Sequence, residues 1–236
     1  MCAHYEALRE WERYAKYFGI NQPQPPDQLP LHVFPTGLAP MIRRPPELAS
    51  GDDAVPALEV VIGQFGLLPG FAKDIKYGLR TYNARTETVS ELASFKHAWA
   101  KARHCIVPCT AIYEPDWRTG KHIPMRITRA DEAPLGVAGL WSPWKDLATG
   151  EWHNSFTMLT INADTHPIFK ELHRTDTKRP PEKQDKRMVV ILNEDSYDAW
   201  LDAPAEKSRE FFVQYPAEKL VAVGQSKPMA SAKDAL

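Results

Sequence analysis

Apolar and polar positions near the start of the chain follow a helical period. Hydrophobic side chains recur three or four positions apart at Tyr5, Leu8, Trp11, Tyr14, Ala15 and Phe18. This spacing predicts an amphipathic helix over residues 5–18 that holds the start of the chain against the core. A second helix is predicted from about 90 to 102, because Thr88 and Glu91 have capping-box spacing ahead of an apolar run.

Strand-like runs dominate the rest of the chain. Apolar and β-branched residues predict strands at Leu58 to Phe65, His104 to Tyr113, Ile123 to Arg129, Leu135 to Trp141, Ser155 to Ile161 and Arg187 to Leu192. Helices are predicted to resume at Glu194 to Leu201 and Ala205 to Gln214. Many strands with few regular βα alternations predict an α+β fold, in which peripheral helices surround a curved, mainly antiparallel, barrel-like sheet.

Length and composition fit one globular domain over residues 1–236. The chain is 43% hydrophobic and carries 21 prolines, many of them in a segment at 22–46 that predicts an ordered but irregular connector. A net charge of −1 argues against a protein that coats nucleic acid by bulk charge, so nucleic-acid binding must be sought in local basic clusters. Three cysteines and no apolar secretory segment predict a cytoplasmic location, and no stretch is long enough for a membrane span.

The dipeptide Met1-Cys2 offers distinctive chemistry. Once Met1 is removed, Cys2 carries an α-amine and a thiol on adjacent carbons. An α-amine has a pKa of about 8, so roughly a tenth of it is neutral at pH 7 and can attack an aldehyde. The thiol then closes on the imine to give a stable thiazolidine. The alternative is a cysteine without function in a disordered terminus.

Two polar groups further along are candidates for the same site. Residues 82–87 lie between a glycine-containing loop and the capped helix, where side chains either face a site or simply face solvent. Glu114 ends a long apolar run, so it is either a rim carboxylate or a partly buried one with a raised pKa suited to acid–base work.

Metal and disulfide chemistry are not expected. Cys105 and Cys109 lie four residues apart on one strand, a separation of about 13 Å, so both are interpreted as small buried hydrophobic residues. The eight histidines show no spacing typical of zinc sites. We therefore predict no metal and no cofactor.

Basic residues concentrate in two segments. Residues 73–103 contain seven Lys or Arg against three acids, and residues 170–187 contain seven against four. Aromatic residues lie within or beside the first segment, among them Phe65, Phe71, Tyr77 and Tyr82. That mixture suits stacking of bases above a phosphate track, although both segments could also be ordinary solvated faces.

In this order, the motifs resemble the SRAP family, the SOS response-associated peptidase proteins that crosslink to abasic DNA. The resemblance covers most of the chain and is carried by Met1-Cys2, Pro35-Thr36, Phe65-Gly66-Leu67 with Pro69, Asn83-Ala84-Arg85 with Glu87, Cys105 to Pro108 before Tyr113-Glu114, Gly139-Leu140-Trp141, Thr160 with Ala163, His173, and Arg187-Met188.

The resemblance implies a role for each matching residue. Cys2 is the expected nucleophile. After self-catalysed removal of Met1, it is expected to react with the ring-opened aldehyde of an abasic sugar. Asn83 is expected to hold the α-amine or the sugar, Glu114 to move protons, and His173 to assist opening of the sugar ring. The expected DNA contacts are Arg85 on a phosphate, with Phe71, Thr160, Pro35 and Thr36 along the groove.

The chain also departs from the family pattern. His4 stands where arginine is usual, Phe71 replaces a tryptophan wedge, and thirteen residues at 174–186 separate His173 from Arg187-Met188. His166 is therefore a reserve candidate for the catalytic histidine.

The expected partner is single-stranded or junction DNA with abasic sites, bound by a cytoplasmic monomer that associates with the nucleoid when on DNA. Two other functions remain open. One is a self-processing N-terminal-cysteine peptidase that acts on protein, and the other is a non-catalytic single-stranded nucleic-acid-binding module.

Overall fold

The computed structural model describes residues 2–22 and 29–225, and strands make up most of their regular structure. In chain order the strands are β1 (Tyr5–Ala7), β2 (His32–Val33), β3 (Leu38–Arg43), β4 (Glu59–Phe65), β5 (Asn83–Arg85), β6 (His104–Asp116), β7 (Ile123–Arg129), β8 (Leu135–Lys145), β9 (Trp152–Asn162), β10 (Arg187–Val189), β11 (Ile191–Leu192) and β12 (Leu220–Gly224). The helices in these ranges are α1 (Trp11–Phe18), α2 (Lys96–Ala100) and α3 (Tyr197–Asp202).

Five of the described strands close into a barrel. Strand β8 pairs with β9, β9 with β4, β4 with β3, β3 with β6, and β6 again with β8. Among these pairings β4–β9 is parallel and the others are antiparallel. The prediction of an α+β fold around a mainly antiparallel, barrel-like sheet is confirmed.

The barrel is tight where β6, β8 and β9 run side by side. A Cβ atom added at Gly139 on β8 would lie 2.6 Å from the carbonyl O of Thr157 and 2.9 Å from the Sγ of Cys105. Only glycine fits at this close approach. Around it Phe65, Phe156 and other apolar side chains are fully buried and form a continuous core.

Several predicted strands are confirmed with small shifts at their ends. The prediction for Ile123–Arg129 matches β7, and those at 58–65, 104–113, 135–141 and 155–161 match β4, β6, β8 and β9. The predicted strand at 187–192 is two short strands, because β10 pairs with β9 while β11 pairs with β8.

The helix predicted over 5–18 is wrong in its first part. Residues 5–7 form β1, and the helix begins only at Trp11. Pairing of Tyr5 with Ile112 and burial of the whole strand outweigh the helical spacing of its side chains.

The other predicted helices are shorter in the structure. The one at 90–102 reduces to α2, the one at 194–201 to a 3₁₀ turn followed by α3, and the one at 205–214 to a 3₁₀ turn at Ser208–Phe211.

The segment at 22–46 is more regular than its prolines suggest. Its described residues include β2 and barrel strand β3. Residues 23–28 lie outside the described ranges. None of the helices in the described chain is long and apolar enough to cross a membrane.

Candidate active site

Strand β1 brings the start of the chain beside β6. Tyr5 lies opposite Ile112, and the backbone N–H of Tyr113 donates to the carbonyl O of His4 at 2.9 Å. Continuing this antiparallel register places Cys2 beside the end of β6 that carries Glu114. The strand pairing thus positions the cysteine.

The side chain of Cys2 is fully buried, at 0% exposure. Its Sγ donates to the carbonyl O of His4 at 3.4 Å. Burial, followed by the negative charge of Glu114, raises the pKa of the Cys2 thiol to about 12. The thiol is therefore protonated at neutral pH and needs a neighbouring base before it can act as a nucleophile.

Asn83 holds the backbone of Cys2. Its Nδ2 donates to the carbonyl O of Cys2 at 2.9 Å and to that of Tyr82 at 2.8 Å. Its Oδ1 is buried and has no hydrogen-bond partner among the described residues. A buried amide oxygen without a partner is unusual and can accept from an N–H or O–H group that arrives during a reaction.

Glu114 and His173 form a buried pair. The His173 Nε2 lies 2.6 Å from the Glu114 Oε2, and the Glu114 side chain is 1% exposed. Burial disfavours the charged carboxylate, but nearby positive charge and the hydrogen bond from His173 outweigh it and lower the pKa of Glu114. The carboxylate is thus available as a proton acceptor at neutral pH.

The backbone around His173 is held in an unusual conformation. His173 has φ +63°, in the left-handed region, and its N–H donates to the carbonyl O of Pro115 at 2.7 Å. The buried Lys186 Nζ donates to the carbonyl O atoms of Leu172 and His173 at 2.6 and 2.9 Å. Strain of this kind persists only where surrounding contacts enforce it, as they do here.

His166, the reserve candidate, has a different environment. Its Nδ1 accepts from the N–H groups of Ile168 and Phe169, and its Nε2 contacts the carbonyl O of Tyr215 at 2.9 Å. Both ring nitrogens therefore serve the local fold. The geometry favours His173 over His166 as the partner of Glu114.

An arginine cluster adjoins strand β5. Arg85 contacts the Asp185 carboxylate at 2.7 Å, and Arg187 contacts the same carboxylate at 3.4 Å. Arg187 also makes a bidentate ion pair with Glu87, with both distances 2.8 Å. The Arg85 side chain remains 45% exposed, so a phosphate could reach it.

The other predicted DNA contacts differ in accessibility. Phe71 is 56% exposed and meets the Tyr77 ring edge to face. Thr160 is fully buried, and its carbonyl O accepts from Arg187 at 2.6 Å, so here it supports an arginine. Pro35 and Thr36 form a half-buried turn.

The turn at Thr36 is strained. Its φ is +74°, rare for a β-branched residue, and its N–H donates to the carbonyl O of Phe65 at 2.7 Å. An exposed aromatic side chain and a strained turn are both common at functional surfaces.

Sequence reasoning did not assign roles to Lys186 or Asp185. Both lie in the segment 174–186, where the chain departs from the family pattern, so no motif pointed to them. Their contacts with the His173 backbone and with Arg85 depend on how this segment folds back, which is visible only in three dimensions.

In the described part of the chain, no group of three His, Cys, Asp or Glu side chains is placed to hold a metal ion. Cys105 and Cys109 are free and fully buried, as expected of small core residues.

Fold and site together define a class of protein: a closed β-barrel in which a buried cysteine at position 2 lies within electrostatic range of a Glu–His pair. The sequence profile of the SOS response associated peptidase (SRAP) family matches residues 1–231. The chain belongs to this family.

Relatives from bacteria and vertebrates share one description. Abasic site processing protein YoaM of Bacillus subtilis is 30% identical over 178 residues, which cover 72% of this chain and 70% of YoaM. Abasic site processing protein HMCES of Gallus gallus is 25% identical over 169 residues, 62% of this chain and 46% of that protein.

A solved structure of high similarity comes from Bordetella bronchiseptica. This crystal structure is 44% identical, with a TM-score of 0.81, and the match covers 96% of this chain and all of that one. A protein from Bacteroides thetaiotaomicron at 23% identity and a TM-score of 0.73 shares the fold, and the match covers 94% of this chain and 91% of that one.

Proposed function

We propose that this protein captures abasic sites in single-stranded DNA by forming a thiazolidine crosslink through Cys2, which shields the lesion during the response to DNA damage. The observation that carries the proposal is the placement of a buried Cys2, its backbone held by Asn83, within electrostatic range of the Glu114–His173 pair. Family membership and relatives named as abasic site processing proteins support it.

The chemistry begins with removal of Met1, a residue outside the described ranges. Water hydrolyses the Met1–Cys2 peptide bond and leaves a free α-amine on Cys2. We propose that Cys2 itself is the nucleophile for this self-processing. Its sulfur adds to the Met1 carbonyl carbon, the Met1–Cys2 amide bond breaks, and the amide nitrogen takes up a proton to become the α-amine of Cys2. Water then hydrolyses the thioester, which releases methionine and restores the thiol.

Crosslinking then proceeds in two steps. The α-amine adds to the C1′ aldehyde of the ring-opened sugar, and loss of one water gives an imine. The thiol sulfur then adds to the imine carbon while its proton passes to the nitrogen, which closes the five-membered ring. No oxidant or reductant is needed.

Glu114 and His173 supply the proton transfers that these steps require. A buried thiol needs a base to deliver its sulfur as thiolate, and Glu114, whose negative charge acts on the Cys2 thiol, is the proposed base. His173 protonates the O4′ as the sugar opens. The unpartnered Oδ1 of Asn83 is free to accept from the new α-amine.

The test combines intact mass with a crosslinking assay. Mature protein is expected to lack Met1 and to give a heat-stable shifted band with single-stranded DNA that carries one abasic site. Cys2→Ala abolishes the band. Cys2→Ser, prepared with Met1 already removed because it lacks the thiol for self-processing, keeps the amine and gives only an imine that borohydride can trap. Cys105→Ala is the matched control, because it removes a buried thiol elsewhere and keeps the band.

Each competing function predicts a different result. Crosslinking by protein that retains Met1 would overturn the mechanism. A non-catalytic binding module would bind abasic DNA equally well with Cys2→Ala and would give no heat-stable band. A peptidase that acts on protein would cleave polypeptide substrates and ignore the lesion.

A further inference from the structure

A pocket of about 580 Å³ borders the candidate site and is lined partly by His173 itself. The segment 174–186 and the turn after β6 form its walls. Its lining includes one aromatic residue and five basic residues, Trp117, Arg118, Lys170, Arg174, Arg179 and Lys186. Two acids, Glu171 and Asp176, also line it, so positive charge prevails.

Some of these cations are already neutralised. Arg118 contacts the Asp116 carboxylate at 2.8 Å, and Arg179 contacts Asp176 and Asp185 at 3.3 Å each. Lys186 donates to backbone carbonyl groups.

Lys170 and Arg174 differ from the other cations of the pocket. Both are exposed, and no carboxylate in the described chain lies within 4 Å of either one. These two residues are therefore available to an incoming anion.

Arg174 also forms part of a stacking platform. Its guanidinium carbon lies 3.8 Å from the centroid of the Trp117 ring. The Trp117 ring in turn packs against the His122 ring, with the ring centroids 5.4 Å apart and the planes tilted. A guanidinium plane supported by an aromatic ring presents a flat, positively charged surface. Unstacked nucleic-acid bases bind such planes, with the phosphates held by neighbouring cations.

We propose that this pocket binds the nucleotides that flank the abasic sugar on one side, with a base stacked on Arg174 and a phosphate at Lys170. The inference rests on the proposed function, because a strand whose lesion is bound at Cys2 must pass the residues around His173. The combination of a stacking plane and unpaired cations fits a DNA strand better than an acidic peptide, which has no base to stack.

The test uses oligonucleotides with a tetrahydrofuran abasic analogue, which binds but has no aldehyde to crosslink. Three probes are compared: one with flanks on both sides, one truncated on the 5′ side and one truncated on the 3′ side. The variant is Lys170→Ala/Arg174→Ala, and the matched control is Lys207→Ala, an exposed lysine outside the pocket. Affinity is measured by fluorescence anisotropy across a salt series.

The double variant is expected to bind two probes about tenfold more weakly than the wild type does: the full probe and the truncated probe that keeps the flank on the pocket side. A loss of this size is what removal of a stacking partner predicts. Affinity for the probe that lacks the pocket-side flank stays unchanged. The salt slope falls by about 0.7 for each phosphate that the variant no longer neutralises. Arg174→Lys keeps the positive charge but loses the planar guanidinium group. The affinity of this variant for the full probe therefore falls, while its salt slope stays the same as that of the wild type.

Three outcomes would overturn the inference: equal loss of affinity on all three probes, a loss no larger than that of Lys207→Ala, or displacement of DNA by polyglutamate at comparable concentration. Any of them leaves the proposed function intact if wild-type protein still crosslinks abasic DNA. Conversely, if the wild type fails to crosslink abasic DNA, the proposed function is wrong. The comparison of the full and truncated tetrahydrofuran probes still tests whether the pocket binds a flank of the DNA.

Discussion

At the scale of single residues, the proposed reaction depends on a thiol that stays protonated until a base acts on it. Cys2 is buried and its pKa is raised to about 12. Such a thiol is poorly reactive toward oxidants and alkylating agents, because the thiolate is the reactive form. The same property makes the Glu114–His173 pair essential to the proposed reaction.

Replacement of Glu114 or His173 tests this dependence. Glu114→Gln and His173→Gln are each expected to slow crosslinking by about 10²–10⁴-fold, the usual range for general acid–base groups. Because the two side chains share one hydrogen bond of 2.6 Å, the double variant should be little slower than the slower single variant. Single-turnover rates at saturating DNA measure the effect.

His166→Gln is the control for the histidine assignment. It removes contacts to the backbone of Ile168 and Tyr215, so stability falls while the crosslinking rate of the folded protein holds. A strong rate decrease in His166→Gln with none in His173→Gln would transfer the role to His166.

At the scale of elements, the segment 174–186 places a carboxylate among three arginines, of which Arg85 is expected to contact a DNA phosphate. Asp185 accepts from Arg85 at 2.7 Å, from Arg179 at 3.3 Å and from Arg187 at 3.4 Å. A DNA phosphate makes the same kind of contact with arginine. Under the proposed function, Asp185 would therefore compete with the phosphate backbone of the bound DNA for Arg85.

Asp185→Asn is expected to raise affinity for abasic-analogue DNA several-fold and to steepen the salt slope by about 0.7, because one more phosphate can be neutralised. Glu182→Gln is the matched control: it makes the same change of charge in the same segment, at an exposed carboxylate without an ion pair in the described structure. Fluorescence anisotropy across a salt series measures both effects. Equal increases from both variants would show that net charge alone matters.

The elements also show what sequence pattern can and cannot predict. β7 and β4 are predictable almost to the residue. β4 contains the continuous β-branched run Val60 to Ile62, and β7 carries Ile123, Ile127 and Thr128 after the turn at Thr119-Gly120, so a strand is favoured for both. The sequence of β5 predicts a polar loop. The strand has three residues, paired in parallel with β9, and three residues are too few to show the alternation of a strand. The three residues of β1 fit the spacing of the helix that follows, so the pattern alone predicts a helix there.

The candidate site was partly predictable for a similar reason. The order of Cys2, Asn83, Glu114 and His173 along the chain suggested one site, and the structure brings Asn83 onto Cys2 and His173 onto Glu114. Their catalytic roles remain predictions. The depth of Cys2 and the contacts of Asp185 depend on chain segments far apart in sequence, which no local pattern encodes.

At the scale of the whole molecule, one network ties the chain's start to the sheet. Glu6 on β1 accepts from Arg126 on β7 at 2.6 Å and from the hydroxyl groups of Tyr113 and Thr110 on β6. The neighbouring His4 ring is stacked on Tyr113. Because Cys2 lies two residues before His4, the stability of this network and the position of the thiol are linked.

The network also makes stability depend on pH. Burial, then the neighbouring His32, lowers the pKa of His4 from 6.5 to about 4. Burial alone disfavours the charged form of Glu6, but the hydrogen bonds from Arg126 and Tyr113 lower its pKa from 4.5 to about 2. In both cases the unfolded chain binds more protons than the folded chain between the two pKa values, so stability falls as pH falls. His4 causes a loss of stability from about pH 6.5 to pH 4, and Glu6 causes a loss from about pH 4.5 to pH 2.

Glu6→Gln separates these contributions. At pH 7 the variant is expected to lose about 1–3 kcal/mol of unfolding free energy, because Arg126 keeps its charge without its carboxylate partner. The difference between variant and wild type should shrink as pH falls from 4.5 toward 2, because the Glu6 carboxyl group of the wild type then becomes neutral, like the amide of the variant. The decline of stability between pH 6.5 and 4, which comes from His4, persists in both proteins. Urea unfolding across this pH range measures it, and the exposed Glu10→Gln, expected to change stability by less than about 0.5 kcal/mol, is the control. A Glu6→Gln loss that is constant from pH 7 to pH 2 would mean that the charge on Glu6 does not anchor the strand that carries Cys2.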